Sequence, residues 1–265
     1  MKKVILAAIV VVMALTGVFA MVGCNKDSDW AYIEKNGEMI IGYTLFAPIA
    51  YEEGGELIGF DIELAKAVAA DIGINVKFQL INWDTKEVEL NAKNIDLIWN
   101  GMTLNADRQE SMECSIPYLN NRQVAVIRKA DAAIYTTKDS MASAKFTAEK
   151  GSAGADVVAA EFANSTYNEL NSQADALLDV KAGTSDIVII DSVMAGFYCS
   201  QPDYADLQIV TSVEFATEQY GIAGRKGNTE FIGKINASLK KLNANGTVAT
   251  IAAKYGLASE VAIAD

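Results

Sequence analysis

The sequence predicts an α/β protein with two domains. From Glu38 onward, short apolar runs of β character alternate with stretches that carry apolar side chains at helical spacing, which is the pattern of an α/β fold. The chain has 265 residues, 51% of them hydrophobic, which suffices for one large domain or two of moderate size. Residues 130–150 are rich in Ala, Ser, Thr and Lys, and they separate two strongly patterned parts. We therefore predict a domain boundary in this segment.

Each predicted element follows from its local pattern of apolar residues. The predicted strands are residues 39–43, 76–80, 95–99, 123–127 and 187–190, and the predicted helices are residues 61–72, 155–162, 167–180 and 232–242. Ligands of open α/β sheets bind beyond the carboxyl ends of the strands. The segments that follow these strands are therefore the places to search for functional residues.

The N-terminus has the pattern of an export signal. Two lysines precede an uncharged, mostly apolar run over residues 4–23, as in a signal peptide, and an uncleaved membrane-spanning helix is the alternative. Gly23 directly before Cys24 resembles a bacterial lipobox, in which the cysteine is acylated and becomes the first mature residue. We predict a signal peptide over residues 1–23, lipidation at Cys24, and a polar tether over residues 24–37 with Trp30 on its surface.

Composition excludes several classes of function. The net charge is −12, and about −14 once the two lysines of the leader are removed, which disfavours binding to nucleic acid. The chain has no histidine, so Ser-His-Asp, Cys-His and HExxH chemistry are excluded. No pattern in the sequence indicates a cofactor or a metal. Cys114 and Cys199 are predicted to be buried, unpaired thiols.

Several motifs together resemble one protein family. Residues 59–69 read Gly-Phe-Asp-Ile-Glu-Leu-Ala-Lys-Ala-Val-Ala, which is similar to the signature of family 3 of the bacterial extracellular solute-binding proteins. The Ser-Ile-Pro-Tyr of residues 115–118 and the segments 95–108, 150–154, 182–186 and 218–223 fall in the order of that family. The resemblance covers residues 38–256.

The resemblance implies a fold and a function. The fold is the two-lobe periplasmic-binding-protein fold of type II, with the ligand in the cleft between the lobes and a two-strand hinge near residues 121–124 and 219–222. Lobe 1 is expected over residues 38–122 plus 220–265, and lobe 2 over residues 123–219. The implied function is capture of a free L-amino acid outside the cytoplasmic membrane and its delivery to the permease of an ABC importer.

Charge complementarity points to Arg108 and Asp191 as the two ends of the site. An amino acid is a zwitterion, so a buried site must supply a cation for its carboxylate and an anion for its ammonium. Arg108 offers a bidentate fork, and Asp191 follows the apolar run of residues 187–190. The alternatives are an Arg108 paired on the surface with Asp107 or Glu110, and an Asp191 that caps the next helix.

Seven further residues complete the predicted binding site. A glycine lets a ligand approach the backbone and a hydroxyl adds a donor, while a Gly-rich turn at a helix N-terminus favours an anion. The family places aromatic residues where they stack on the ligand side chain. The predicted contacts are Asn100, Gly101, Thr103, Ser152, Ala153, Phe46 and Trp83.

The ligand side chain is predicted to be neutral, with a cationic one as the alternative. Relatives that bind cationic or amide side chains carry an acid in the loop after the first strand, whereas residues 42–46 read Gly-Tyr-Thr-Leu-Phe. A buried cation would be unpaired unless Glu52, Glu87 or Glu89 reached into the site. Cation–π contact with Phe46 and Trp83 would offset part of that loss, which keeps a cationic side chain open, and an acidic one is the third possibility.

Two other classes of function remain open. Some relatives of the family are prephenate or arogenate dehydratases, for which Glu149, Lys150 and Glu52 are the nearby candidate groups. A sensory amino-acid receptor is the third class. An intact amino-acid loop together with Asp191 favours binding without catalysis.

Overall fold

A computed structural model describes residues 28–264, so the predicted signal peptide and Cys24 lie outside the described residues. The strands are β1 (Glu38–Tyr43), β2 (Tyr51–Glu53), β3 (Glu56–Ile58), β4 (Asn75–Leu80), β5 (Leu97–Thr103), β6 (Met112–Cys114), β7 (Leu119–Arg128), β8 (Lys145–Glu149), β9 (Thr166–Leu170), β10 (Ile187–Asp191), β11 (Leu207–Ile209) and β12 (Thr217–Arg225). The helices are α1 (Asp29–Asn36), α2 (Phe60–Ile72), α3 (Lys86–Asn91), α4 (Ala106–Ser111), α5 (Lys138–Met141), α6 (Ala153–Glu161), α7 (Gln173–Lys181), α8 (Ser192–Cys199), α9 (Thr229–Ala244) and α10 (Thr247–Lys254). Among the described residues, no helix is both long and apolar enough to cross a bilayer.

The mixed sheet confirms the predicted α/β class. Its strand order is β4-β1-β5-β12-β7-β10-β8-β9, with β6 on β12, β11 on β7, and a separate β2–β3 hairpin. Strands β4, β1 and β5 are parallel, as are β10, β8 and β9, whereas β12 and β7 run antiparallel to their neighbours. Parallel strands require helical crossovers, which is why helices alternate with strands along the chain.

Two long strands connect two halves of this sheet. Residues 119–122 of β7 pair with residues 217–220 of β12; beyond that ladder, β7 continues against β10 while β12 continues against β5. We call the strands β4, β1, β5, β6 and β12 with their helices the first half, and β7 to β11 with theirs the second half. The carboxyl ends of β1, β5, β8 and β10 face the space between the halves.

The N-terminal segment is a helix, which corrects the predicted tether. Helix α1 is capped by the Ser28 hydroxyl, which accepts from the backbone N–H of Ala31 at 3.2 Å. Trp30 is only 6% exposed and packs against Phe231 with ring centroids 5.9 Å apart. The surface placement of Trp30 was wrong because a short helix with one buried edge shows little apolar periodicity.

Two predictions in the second half were also wrong. Residues 166–170 form strand β9 rather than the start of a helix, because they pair in parallel with β8. The predicted boundary at residues 130–150 contains β8, which lies between β10 and β9 in the sheet. Strand pairing is a non-local contact, so a short strand of mixed polarity gives no strong local signal.

The two described cysteines are free thiols, in agreement with the prediction that they are unpaired. Both are half-buried, and burial raises the pKa of each thiol. Neither therefore has the lowered thiol pKa of a reactive cysteine.

Candidate functional site

A narrow pocket lies between the two halves. It is lined by Thr44, Phe46, Trp83, Asn100, Gly101, Thr103, Arg108, Glu149, Ser152, Ala153, Gln173 and Asp191. All nine residues predicted from the sequence as ligand contacts are among them. The first seven belong to the first half and the last five to the second, so the pocket exists only where the halves meet.

Arg108 is held in the pocket by backbone groups. Its Nη1 donates to the Thr103 carbonyl at 3.0 Å, and its Nη2 donates to the carbonyl of Gly151, in the opposite half, at 3.2 Å. The guanidinium also lies 5.9 Å from the centroid of the Trp83 ring, and the residue is 6% exposed. Because both hydrogen-bond partners are neutral carbonyls, the positive charge of the buried guanidinium remains available to an anionic group of a ligand. The alternative of a surface pair with Asp107 or Glu110 is wrong.

Asp191 is held at the other end of the pocket by neutral donors. Its Oδ1 accepts from Gln123 Nε2 at 3.0 Å, from the Tyr220 hydroxyl at 2.7 Å and from the Asn121 amide, and its Oδ2 accepts from the Gln173 amide. Burial and the charge of Asp191 hold the pKa of Tyr220 well above its usual range, so the phenol stays a donor. Asp191 is the N-cap residue of α8, as expected, but its side chain makes no capping bond, so the carboxylate remains available to a ligand.

The strands that connect the halves share donors between two carboxylates. The amides of Asn121 and Gln123, on β7, donate to Asp191 and also to Glu218 on β12. Glu218 in turn accepts from the Thr103 hydroxyl at 3.0 Å. Burial and the nearby Asp191 charge raise the pKa of Glu218 to about 7. Asp191 and Thr103, which line the pocket from opposite halves, are thus hydrogen-bonded to side chains of the connecting strands.

The signature motif supports the pocket without lining it. Gly101 has a φ of +59°, and a Cβ there would lie 2.6 Å from the Phe46 ring, so a side chain is excluded sterically. The Gly101 N–H donates to Asp61 Oδ2 at 2.8 Å, and the Tyr118 hydroxyl donates to the same oxygen at 2.7 Å. Burial raises the pKa of Asp61 to about 7. Asp61 and Tyr118 therefore position the backbone loop that lines the site.

The second half presents the N-terminus of α6 to the pocket. Ser152 caps this helix, and its hydroxyl accepts from the N–H of Ala155 at 3.2 Å. Ala153 is the first helical residue, so its N–H is one of those that lack a partner within the helix. This end of the pocket favours an anion.

Sequence reasoning missed three of the lining residues as ligand contacts: Thr44, Glu149 and Gln173. The Asn100 amide hydrogen-bonds to the Thr44 hydroxyl at 2.7 Å. Glu149 ends β8 and is 4% exposed, and burial together with Asp191 raises its pKa to about 8. Recognition of residues 145–149 as a strand would have identified Glu149, because it stands at the carboxyl end of β8 as Asp191 stands at the carboxyl end of β10.

The acid and base candidates for a dehydratase are not assembled together. Of Glu149, Lys150 and Glu52, only Glu149 lines the pocket. Lys150 is exposed and forms an ion pair with Asp84 of the first half at 3.1 Å, and Glu52 is exposed on the β2–β3 hairpin.

Two α/β halves joined by two strands around a polar pocket are the architecture of a two-lobe solute-binding protein. Residues 39–258 match the model of the bacterial extracellular solute-binding proteins, family 3, and the chain belongs to that family. This confirms the resemblance seen in the sequence.

Individual relatives agree with this assignment. The arginine-binding extracellular protein ArtP of Bacillus subtilis is 28% identical over 246 residues, which cover 89% of this chain and 92% of the relative. An ABC uptake transporter substrate-binding protein of Streptococcus pneumoniae, solved with bound histidine, is 32% identical with a TM-score of 0.81 and coverage of 86% and 96%. The ancestral amino acid-binding protein AncCDT-1, a precursor of cyclohexadienyl dehydratase, is 25% identical with a TM-score of 0.80 and coverage of 86% and 99%. The predicted two-lobe fold is confirmed.

Proposed function

We propose that the protein captures a free L-amino acid between its lobes and delivers it to the permease of an ABC importer. The observation that carries this proposal is the separation of opposite charges in one buried pocket, with Arg108 in one half and Asp191 in the other. Arg108 and the N-terminus of α6 hold the ligand carboxylate, and Asp191 holds the ammonium. The amino-acid-binding relatives support this ligand class.

Binding drives closure in this proposal. Lobe 1 comprises residues 38–122 and 220–265, lobe 2 comprises residues 123–219, and the connecting parts of β7 and β12 form the hinge. A zwitterion contacts both lobes only when they are closed, so its higher affinity for the closed state shifts the equilibrium towards that state. The permease recognises the closed protein.

The protein works without catalysis and on the outer side of the membrane. Of the three groups considered for a dehydratase only Glu149 lines the pocket, and the second buried carboxylate there, Asp191, is the partner of the ligand ammonium in this proposal. We further propose that the signal peptide is cleaved and that diacylation of Cys24 anchors the mature chain, since two acyl chains suffice for stable attachment.

A thermal-shift screen followed by titration calorimetry tests the amino-acid ligand. The purified protein is screened against the twenty L-amino acids, ornithine and cystine, because a ligand of the folded state alone raises the melting temperature. The best ligand is then compared with its methyl ester and with its analogue that lacks the α-amino group. We expect both analogues to bind at least about 30-fold more weakly, since each leaves one buried charge unpaired. The absence of any shift, or equal binding of the analogues, would refute the proposal.

A further inference from the structure

Glu149 is a buried carboxylate that the zwitterion scheme leaves unused. It lies at the carboxyl end of β8, lines the pocket and is 4% exposed. No described cation forms an ion pair with it. A buried carboxylate without a cation is costly, so the position calls for a positively charged partner in the pocket.

The neighbouring charged groups already have other partners. Asp191 on β10 repels Glu149, and Gln173 on α7 is the neutral group beside both. Arg108 donates to the carbonyls of Thr103 and Gly151, and it is the cation reserved for the ligand carboxylate.

Lys86, on α3, is the competing explanation for Glu149. Its Nζ donates to the carbonyls of Trp83 and Gly151 at 3.2 Å each, and it lies 4.8 Å from the Trp83 ring centroid. It is itself only 6% exposed, and burial together with the nearby Arg108 charge lowers its pKa to about 8. Lys86 does not line the pocket, and its Nζ bonds to carbonyls rather than to Glu149, which leaves Glu149 without an ion-pair partner among the described residues.

The remaining walls suit a cationic side chain. Phe46 and Trp83 line the pocket, and aromatic faces attract a desolvated cation, most of all a flat guanidinium. An amino acid with a neutral side chain brings one positive and one negative charge, which match Asp191 and Arg108. A ligand with an additional positive charge also offers Glu149 an ion-pair partner and favours the ionised form of this carboxyl group.

We propose that Glu149 determines specificity by accepting the cationic side chain of a basic L-amino acid, of the class of arginine, lysine and ornithine. The inference rests on the proposed function and restricts the ligand from any free L-amino acid to a basic one. It replaces the neutral side chain expected from the loop at residues 42–46. That expectation considered only acids of the first half and found none in the loop. Glu149 comes instead from a strand of the second half.

The test compares arginine with citrulline, in which a neutral urea group replaces the guanidinium at nearly the same shape. Calorimetry is performed on the unaltered protein, on Glu149→Gln, and on Glu52→Gln as a control that removes an exposed carboxylate. We expect the unaltered protein and the control to prefer arginine by about 30-fold or more, because citrulline would leave the buried Glu149 carboxylate without a cation. Glu149→Gln should lose most of this preference and retain citrulline binding within about threefold, since the amide keeps the shape of the acid.

Two results would overturn the inference. One is equal or tighter binding of citrulline by the unaltered protein, and the other is an equal loss of arginine and citrulline in Glu149→Gln, which would identify Glu149 as a structural counter-charge of Lys86. In both cases amino-acid binding itself persists, so the proposed function stands while the narrower ligand fails. Circular dichroism of Glu149→Gln verifies that the variant is folded.

Discussion

Replacement of Arg108 by alanine should abolish most of the ligand affinity while the protein stays folded. Arg108 is the only described cation that lines the pocket, and its partners are the carbonyls of Thr103 and Gly151. Gly151 is exposed, so water can replace the guanidinium at its carbonyl, and the only buried group that loses a donor is the Thr103 carbonyl. The ligand carboxylate, by contrast, would be buried without its cation.

The magnitude follows from the groups that remain. Truncating one partner of a buried charge pair costs about 2–5 kcal/mol. The N-terminus of α6 still faces the carboxylate, and such an end offsets about 1–2 kcal/mol in a partly buried site. A net loss of about 2 kcal/mol, or roughly 30-fold in Kd, is therefore expected.

Titration calorimetry with the best ligand measures this loss, and chemical denaturation measures folding. Lys240→Ala is the control, because it removes an exposed cation from α9, outside both the pocket lining and the connecting strands. Arg108→Lys should fall between the two, since it restores the charge without the bidentate fork. Binding by Arg108→Ala within about threefold of the unaltered protein would refute the assignment of Arg108 to the carboxylate.

Four further predictions concern other parts of the chain. Gly101→Ala should weaken ligand binding and lower the free energy of unfolding by about 1–3 kcal/mol, because the positive φ and the adjacent aromatic ring exclude a Cβ. Asp29→Ala should lower the unfolding free energy by about 3 kcal/mol, because it removes one of two carboxylates paired with the buried Arg225. The affinity for a basic amino acid should rise from about pH 6 through pH 8 and level off only above about pH 9, since Glu149, with its pKa raised to about 8, must release a proton before it pairs with a cation. Cys24→Ser should release the protein from the membrane fraction.

Each of these has a measurement that can contradict it. Urea denaturation of the two destabilised variants should show lower midpoints with unchanged slopes, and midpoints equal to that of the unaltered chain would count against the steric and ion-pair arguments. Calorimetry across the pH range should lose its trend in Glu149→Gln, and a trend that persists would assign the titration to another group. Membrane fractionation that is the same with and without Cys24 would refute the lipid anchor.

The sequence alone was sufficient to predict the fold class and nine of the twelve residues that line the pocket. Residues such as Thr103 and Asp191 follow buried, strongly apolar strands, and the ends of such strands gather at one edge of a sheet. Their chemistry is also local: a guanidinium at Arg108 and a glycine at Gly101 are visible without any knowledge of packing. Apolar patterning therefore located the site before its geometry was known.

Tertiary structure decided what depends on distant partners. Strand β8 exists because it pairs with β9 and β10, and that pairing places Glu149 in the pocket beside Asp191. Helix α1 is fixed through the contact of Asp29 with Arg225, which is 196 residues away along the chain. Burial and charge proximity arise only when such segments meet, and no local pattern records which ones will. The sequence therefore predicted Arg108 and Asp191 at the pocket, whereas only the folded chain revealed that Glu149 lines it as well.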